Sequence, residues 1–209
     1  MKLDYDKMKQ YSPGIIDLDI YKKYAVGIPF LVTEEEIRVL FEVRASHLNT
    51  LPGDICLPGG KIEPGEQPVQ AVIREISEEL LLPPNQIELL GASDLYITGK
   101  ESVIYPFVVL LKDYDFTFVK DEVQEVFTVP LDFFLNTEPE AALSSIVEAP
   151  GEDFPFHRIN GGRDYPWLKA TRKILFYQYE DRTIWGLTAK VLHSFVQIMK
   201  RDFSSDRAE

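Results

Sequence analysis

The most informative stretch of this chain runs from Gly60 to Leu82 and reads GKIEPGEQPVQAVIREISEELLL. Apolar residues recur at helical spacing between Val69 and Leu80, so this segment is predicted to form an α-helix with one apolar stripe. Pro68 suits the first turn of such a helix, and the two prolines that follow Leu82 are expected to stop it. The pattern therefore predicts a helix that packs one face against the protein core.

Three carboxylates, those of Glu75, Glu78 and Glu79, lie on the opposite side of the predicted helix. Because they are spaced at i, i+3 and i+4, they share one face and should repel one another. Three glutamates alone would fit an ordinary solvated face. A glycine-rich turn before the helix and the adjacent Arg74 complete a longer pattern, which favours a functional site where divalent cations offset the negative charge.

The complete spacing, from Gly60 through Glu66 to the end of the helix, resembles the Nudix box. This resemblance to the Nudix hydrolase family implies an α/β fold in which a mixed β-sheet is sandwiched between α-helices. It also implies a metal cofactor, Mg²⁺ with Mn²⁺ as a substitute, because hard oxygen ligands select these ions. The metal site that the resemblance implies comprises Gly59 (through its carbonyl), Glu66 (which also supports the loop), Glu75, Glu78 and Glu79.

Residues 57–61 precede the helix and are predicted to be a strand end that runs into a tight loop, where glycine lets the backbone approach an ion or a phosphate. Arg74 is expected to be an internal salt-bridge partner that orients a glutamate, with an exposed helix arginine as the simpler alternative. One position departs from the box. Leu81 stands where the family has a helix-ending glycine, so a stop at the prolines is expected to replace the left-handed cap that glycine favours.

The resemblance also implies a reaction, the hydrolysis of a pyrophosphate bridge. Mg²⁺ would neutralise the diphosphate and lower the pKa of a bound water, which attacks phosphorus in line. The sequence leaves the general base open, because Glu75 is one candidate and a water activated by the metal is another. Glu122 or Glu125 could supply a carboxylate from a later strand, but both also fit a plain exposed edge.

Similarity to one branch of the family, the coenzyme A pyrophosphatases, extends beyond the box to matches within residues 40–60, 105–131 and 184–189. It implies cleavage of coenzyme A or acyl-coenzyme A into 3',5'-ADP and (acyl-)4'-phosphopantetheine. The chain has Asn49 and Leu51 where that branch carries Arg and His, and Glu42 replaces Thr. These departures favour the alternative of a pyrophosphatase for another nucleoside diphosphate, such as ADP-ribose. A non-catalytic Nudix-fold regulator that binds a nucleotide is a further alternative, which the retained box glutamates disfavour.

The formal net charge of -12 argues against a general nucleic-acid binder, which needs an extended basic surface. The expected partner is a small-molecule nucleotide diphosphate, whose phosphates would be met by metal ions and a few local cations. His47, His157 and His193 have no triad or metal-spaced partner and are expected to be surface or structural residues. The cations predicted to bind substrate, each of which also fits an ordinary surface charge, are Arg44, Lys61, Lys100 and Arg158.

Length and composition predict one catalytic domain, since 209 residues with 45% hydrophobic content can bury a single core. We expect an N-terminal extension (helix or interface arm) at 1–24, a Nudix domain at 25–200 and a polar tail at 201–209. The longest apolar run, 103–111, is too short to span a bilayer, and the first residues do not resemble a signal peptide. A cytoplasmic protein without membrane contact is the default expectation, and a homodimer is left open. The lone cysteine, Cys56, is expected to pack in the core.

Alternating strands and helices are predicted along the chain. A hairpin is expected from 25–33 and 37–44, and residues 148–171 are predicted to be an irregular aromatic loop that acts as a lid, is mobile or folds on itself. The remaining predicted strands are a short one near Ile55, then 87–98, 103–112, 123–130, 173–179 and 183–185. The remaining predicted helices are 131–135 and 188–200.

Overall fold

The computed structural model of the protein describes residues 9–10, 12, 14–99 and 101–203. Part of the predicted 1–24 extension, residues 204–209 of the predicted tail, and Lys100 therefore lie outside the described residues. Residues 22–24 belong to the first β-strand, and residues 201–203 end the last helical segment. The division into extension, domain and tail stays a prediction.

The described chain alternates between strands and helices, as expected for an α/β protein. The strands are β1 (Lys22–Val32), β2 (Ile37–Arg44), β3 (Ile55–Cys56), β4 (Gly59–Lys61), β5 (Ile87–Ala92), β6 (Tyr96–Thr98), β7 (Ser102–Leu111), β8 (Val123–Pro130), β9 (Glu140–Val147), β10 (Lys169–Tyr179) and β11 (Arg182–Trp185). The helices are α1 (Pro68–Glu79), α2 (Leu131–Asn136) and α3 (Gly186–Ile198), which continues into a π-helical turn (Met199–Phe203). None of the helices in the described part of the chain has the length and apolar character needed to cross a bilayer.

The first eight strands form one mixed sheet. Strands β3, β2, β1, β7 and β5 lie side by side in that order, while β8, β4 and β6 pair with β2, β1 and β7. Strands β1 and β7 run parallel, and β1 and β2 form the predicted antiparallel hairpin. The hairpin turn is held by Thr33, whose Oγ1 accepts hydrogen bonds from the backbone N–H groups of Glu35 (3.3 Å) and Glu36 (3.1 Å).

This sheet separates two apolar cores, because side chains alternate between the two faces along each strand. On β1, Ile28 and Phe30 pack into one core together with residues of α2 and α3. On the same strand, Ala25 packs into the other core with Val72 and Ile76 of α1. The large sheet thus lies between α1 on one face and α2 with α3 on the other, which confirms the predicted mixed sheet between helices.

A second sheet has the strand order β11-β10-β9; strands β10 and β11 correspond to the predicted strands 173–179 and 183–185, whereas β9 was not predicted. Strand β9 lacks the alternating signal of a half-buried strand because nearly all of its side chains are exposed, so the prediction missed it. Strand β10 begins at Lys169, inside the stretch predicted to be irregular. The single strand predicted over 87–98 was also wrong, since β5 ends at Ala92 and β6 begins at Tyr96.

The loop between β9 and β10, residues 148–168, folds on itself, which is one of the three predicted alternatives. The backbone N–H of Glu148 donates to the carbonyl of Leu168 at 3.3 Å and closes the base of the loop. Edge-on contacts join Phe154 to Phe156 (5.1 Å between ring centroids) and to Trp167 (5.2 Å). The aromatic residues of this loop therefore form a small cluster of their own at the end of the β9–β10 hairpin.

The end of α1 differs from the prediction. A stop at the prolines was expected in place of a left-handed cap. Instead, Leu81 itself adopts the left-handed conformation (φ 54°) and ends the helix. The N–H of Leu82 donates to the carbonyl of Ser77 at 3.2 Å, which is the long hydrogen bond of a Schellman cap. Leu80 and Leu82 are both buried, so burial of these neighbours compensates for the strained backbone of Leu81, whose side chain is 55% exposed.

We predict that Leu81→Gly stabilises the protein. Glycine relieves the steric cost of a left-handed residue but adds freedom to the unfolded chain, so we expect a net gain of about 0.5–1 kcal/mol in the free energy of unfolding. Urea denaturation measures this gain. Leu95→Gly is the matched control, because Leu95 is similarly exposed (49%) and its backbone lies outside the left-handed region; a gain of equal size in both variants would refute the explanation.

Candidate active site

The site is built around a close contact between strands β4 and β1. Residues 59–61 form strand β4 rather than the predicted loop, with Gly59 opposite Val26 and Gly60 opposite Ala25. A Cβ on Gly59 (φ 147°) would lie 2.3 Å from the carbonyl oxygen of Ala25. Glycine is therefore required here so that one backbone can approach another, whereas the prediction invoked an ion or a phosphate.

Gly60 brings the same strand against helix α1. A Cβ on Gly60 would lie 2.4 Å from both Cδ and Oε1 of Glu75. The carboxylate of Glu75 thus occupies the space where any other residue at position 60 would place its side chain. Burial raises the pKa of Glu75, although hydrogen bonding to Arg74 opposes this shift.

Arg74 links the helix, the preceding loop and strand β4. Its Nε and Nη2 donate to the two carboxylate oxygens of Glu66 at 2.9 and 3.0 Å. Its Nη1 reaches Glu75 at 2.8 Å and Glu78 at 3.2 Å, and Nη2 also donates to the carbonyl of Lys61 at 3.1 Å. Arg74 is therefore the internal salt-bridge partner that the sequence predicted, and it is only partly exposed.

Glu66 is used in the loop that Arg74 anchors. One of its oxygens, Oε2, also accepts a hydrogen bond from the backbone N–H of Glu63 at 2.9 Å. The hydrogen bonds from Arg74 and from Glu63 lower the pKa of Glu66. Both carboxylate oxygens are thus engaged within the protein, as expected for loop support, and direct contact of Glu66 with a metal stays a prediction.

Glu79 is the most buried of the helix carboxylates, with 5% of the residue exposed. Its Oε2 accepts a hydrogen bond from the N–H of Gly59 at 2.8 Å, which ties the end of α1 to β4. Burial raises the pKa of Glu79 to about 8, because the Gly59 hydrogen bond and the charge of Arg44 only partly offset burial and the charges of Glu75 and Glu122. Glu78, by contrast, is exposed at the rim of the cluster.

The two carboxylates predicted from the later strand are placed differently. The charge of Glu122 contributes to the raised pKa values of Glu75 and Glu79, so Glu122 borders the cluster from the segment just before β8. Glu125 lies on the same face of β8 as Phe127, which packs in the core opposite α1. Both oxygens of Glu125 are bound by Arg182, at 2.6 and 3.1 Å. The structure therefore brings Glu122, and not Glu125, to the cluster.

The described cations predicted to bind substrate lie in different parts of the chain and not in one cluster. Arg44 lies half-buried at the end of β2, where Nε donates to the carbonyl of Thr50 at 3.2 Å and the charge acts on Glu79. The side chain of Lys61 is exposed on β4. Arg158 is exposed on the loop after β9, and Lys100 lies outside the described residues. Of the three described cations, Arg44 is the one whose charge acts on the buried carboxylates.

Glu42 was not predicted to be a site residue, although it stands where the coenzyme A branch has Thr. Leu40 on the same face of β2 packs under α1, so Glu42 also faces α1, and only 2% of it is exposed. Burial, followed by the charge of Glu79, raises its pKa. Cys56 on the paired strand β3 places Sγ 4.0 Å from Glu42 Oε2, and burial and that carboxylate raise the pKa of the thiol. The sequence signal that could have identified Glu42 is a charged residue between the apolar residues of β2.

A comparison with protein families identifies this arrangement. The family model described as the NUDIX domain matches residues 22–146 of the chain. The chain belongs to the Nudix family. The match covers α1, its glutamates, the β4 glycines and strands β1 to β8, which are the elements that form the site.

Curated Nudix relatives extend the comparison. The chain is 35% identical over 138 residues to the mouse peroxisomal coenzyme A diphosphatase NUDT7, an alignment that covers 65% of this chain and 57% of the mouse protein. It is 25% identical to Nudix hydrolase 3 of Caenorhabditis elegans, over 90% of this chain and 78% of that protein. It is 28% identical to a Nudix hydrolase NudL of Enterobacter, over 82% of this chain and 79% of that protein. The chain thus spans little more than half of the first of these relatives.

Nudix hydrolases generally use divalent metal ions, and the donor types of this site fit such an ion. The atoms around α1 are carboxylate oxygens, the ligands that Mg²⁺ and Mn²⁺ prefer. Glu42 Oε1 is buried without a hydrogen-bond partner among the described residues, and burial, together with the neighbouring negative charges, raises the pKa of Glu79. Within the same described residues, no group of three or more His, Cys, Asp or Glu side chains is already arranged to hold an ion. The site therefore supplies carboxylate oxygens suited to a divalent cation, and these side chains would have to move closer together to hold one.

We predict that Gly60→Ala impairs cation binding and leaves the fold intact. The new methyl group would displace the flexible end of Glu75 and break its contact with Arg74. Mn²⁺ affinity, measured by titration calorimetry, should fall by at least about tenfold. Gly91→Ala is the control, because nothing lies within 4 Å of a Cβ at that position. Wild-type Mn²⁺ affinity in Gly60→Ala would contradict the close packing described for this site.

The raised pKa of Glu79 predicts a pH dependence for the metal-free protein. The pKa rises from an ordinary value of 4.5 in the unfolded chain to about 8 in the folded protein. The folded state therefore binds more protons in this interval, so this contribution to stability is full below pH 4.5 and is lost as the pH rises through 8. The free energy of unfolding in EDTA should fall with pH by up to about 1.4 kcal/mol per pH unit.

The matched variant for this measurement is Glu79→Gln, which removes the titrating group. Its free energy of unfolding should depend less steeply on pH across the same interval, and the residual slope should have the same sign because the pKa of Glu42 is also raised. Equal slopes for the wild type and Glu79→Gln would show that Glu79 is not the titrating group.

Proposed function

We propose that this Nudix protein is a Mg²⁺-dependent hydrolase of nucleotide-linked diphosphates, with coenzyme A or acyl-coenzyme A as the substrate. The products would be 3',5'-ADP and (acyl-)4'-phosphopantetheine. The observation that carries the hydrolase proposal is the packing of Glu75 and Glu79 against the Gly59–Gly60 strand, with Arg74 bound to Glu75. The choice of coenzyme A is supported by the similarity to the mouse coenzyme A diphosphatase and by the related residues of β2 and the following turn.

The chain's own residues have distinct parts in this proposal. Glu75, Glu78, Glu79 and the carbonyl of Gly59 would hold the cation. Bound Mg²⁺ would supply neutralisation of the diphosphate and a more acidic attacking water. Arg74 positions Glu75, because it fixes that carboxylate at 2.8 Å while its other nitrogens are anchored on Glu66 of the loop and on Lys61 of β4. The salt bridge between Arg74 and Glu66 would keep the loop in place during turnover.

Two groups at the edge of the cluster complete the proposal. Glu122 is exposed and borders the cluster, so it is a candidate to accept a proton from the attacking water, as is Glu75. Arg44 would contact a substrate phosphate, because it lies half-buried at the end of β2 and its charge acts on Glu79. Glu125 has no part in the proposal because Arg182 binds both of its oxygens on the other face of the sheet.

A second candidate substrate is another nucleoside diphosphate, such as ADP-ribose. It is favoured by Asn49 and Leu51, which replace Arg and His of the coenzyme A branch. Both residues are exposed in the turn after β2, close in sequence to Arg44. A change of polar groups beside a phosphate-binding arginine would alter which substrate is held.

The proposal predicts a ranking of substrates in a product assay. Purified protein with Mg²⁺ is incubated separately with coenzyme A, ADP-ribose, NADH and diadenosine polyphosphates, and products are identified by mass spectrometry. Coenzyme A should yield 3',5'-ADP and phosphopantetheine faster than the other compounds are cut. Faster cleavage of ADP-ribose would move the assignment to the second candidate, and nucleotide binding without any product would indicate a regulator.

The same assay tests the role of Glu79. Glu79→Gln should reduce turnover by at least about 100-fold, because a ligand of the cation contributes several kcal/mol of transition-state stabilisation. Glu88→Gln is the matched control. Glu88 lies on β5, where it forms an ion pair with Lys112, and β5 is at the opposite end of the sheet from β3 and β2. Near-normal turnover in Glu79→Gln would overturn the assignment of the site.

A further inference from the structure

The buried carboxylate of Glu42 has no structural explanation within the protein. It lies on β2, on the face that packs under α1, and 2% of the residue is exposed. Oε1 has no hydrogen-bond partner among the described residues, and the contact of Oε2 is with the thiol of Cys56 at 4.0 Å. A thiol is a weak donor. A carboxyl group at this depth lowers the stability of the fold whether it stays charged without a partner or takes up a proton, so its presence calls for a partner.

The charged neighbours of Glu42 do not supply that partner. Glu79 exerts the strongest charge effect on it and is repulsive, and Glu122 adds a further repulsion. The charge of Arg44 is attractive, but Arg44 Nε donates to the carbonyl of Thr50. Arg44 therefore offsets only part of the negative charge around Glu42.

Glu42 and Glu79 both approach the Cys56–Gly59 segment, Glu42 from β2 and Glu79 from the end of α1. The charges of both carboxylates, that of Glu42 first, act on the thiol of Cys56, which lies opposite Glu42 in the β2–β3 pairing. Glu79 is fixed there by the N–H of Gly59 on one of its oxygens, Oε2. Two buried carboxylates that approach one segment, one of them with an unpartnered oxygen, offer hard oxygen donors of the kind that a divalent cation takes.

We propose that Glu42 is a further cation ligand outside the Nudix box, which together with Glu79 holds a divalent cation on the buried side of the carboxylate cluster. The inference rests on the proposed function for the class of cation. It adds a ligand from strand β2 to a set that otherwise comes from α1 and β4. A cation at this place would neutralise the repulsion between Glu42 and Glu79 and would pull α1 toward β2.

Mn²⁺ binding by the full chain tests the proposal with a readout independent of turnover. Glu42→Gln and Glu42→Thr are compared with the wild type and with Glu88→Gln by titration calorimetry. Both Glu42 variants should bind Mn²⁺ at least about tenfold more weakly than the wild type, because they remove a charged ligand. Glu88→Gln should bind as the wild type does. Two variants of different size are used so that a packing defect in one does not decide the result.

Thermal unfolding of the same proteins is a second test, in which Glu42→Gln should be more stable than the wild type without metal but gain less stability from Mn²⁺. In EDTA, Glu42→Gln should unfold at a higher temperature than the wild type, because the variant no longer has to bury an unpaired carboxylate or to protonate it. On addition of Mn²⁺, its unfolding temperature should rise less than that of the wild type, because the cation has lost a ligand. Mn²⁺ affinity of both Glu42 variants indistinguishable from the wild type would overturn the proposal and leave Glu42 as a group that holds only a proton or a water.

The product assay on the same proteins separates this inference from the proposed function. Turnover by the wild type together with unchanged Mn²⁺ affinity in both Glu42 variants rejects the Glu42 ligand and retains the hydrolase. Weakened Mn²⁺ affinity in the Glu42 variants with no turnover by the wild type on any diphosphate retains the cation ligand and rejects the hydrolase.

Discussion

The guanidinium of Arg74 is the interaction on which the rest of the site depends. One cation bonds to three carboxylates, those of Glu66, Glu75 and Glu78, and to the carbonyl of Lys61, so the loop, the helix and strand β4 are fixed relative to one another. Without this guanidinium, the three carboxylates would repel one another where α1 approaches β4. The absence of a side chain on Gly60 makes this arrangement possible, because the carboxylate of Glu75 occupies that space.

Much of this site could be predicted because it depends on local spacing. The helical period between Val69 and Leu80 set the apolar face of α1, and the intervals between the glutamates set the opposite face. The resemblance to the Nudix box also implied that Arg74 forms an internal salt bridge. The inferences from spacing succeed because the residues concerned are neighbours along one helix, whereas the partners Glu66 and Lys61 of Arg74 lie outside it.

The parts that were missed depend on contacts distant in sequence. Glu42 lies near the carboxylate cluster because β2 lies beside β3 and faces α1, and Glu125 lies away from it because its side chain is on the other face of β8. Leu81 keeps a glycine-like conformation because its neighbours are buried, a constraint that propensity does not contain. Strand β9 carries almost no burial pattern, so only its pairing with β10 makes it a strand.

Cys56 has a practical consequence for studies in solution. It is the single cysteine of the chain, and burial next to Glu42 raises the pKa of its thiol, so little reactive thiolate is present at neutral pH. A cysteine introduced at an exposed position of the self-packed loop, for example by Glu152→Cys, would therefore react with a fluorescent dye much faster than the native thiol. The wild-type sequence is thus already a suitable background for site-specific labelling, with no need to replace a residue beside the carboxylates.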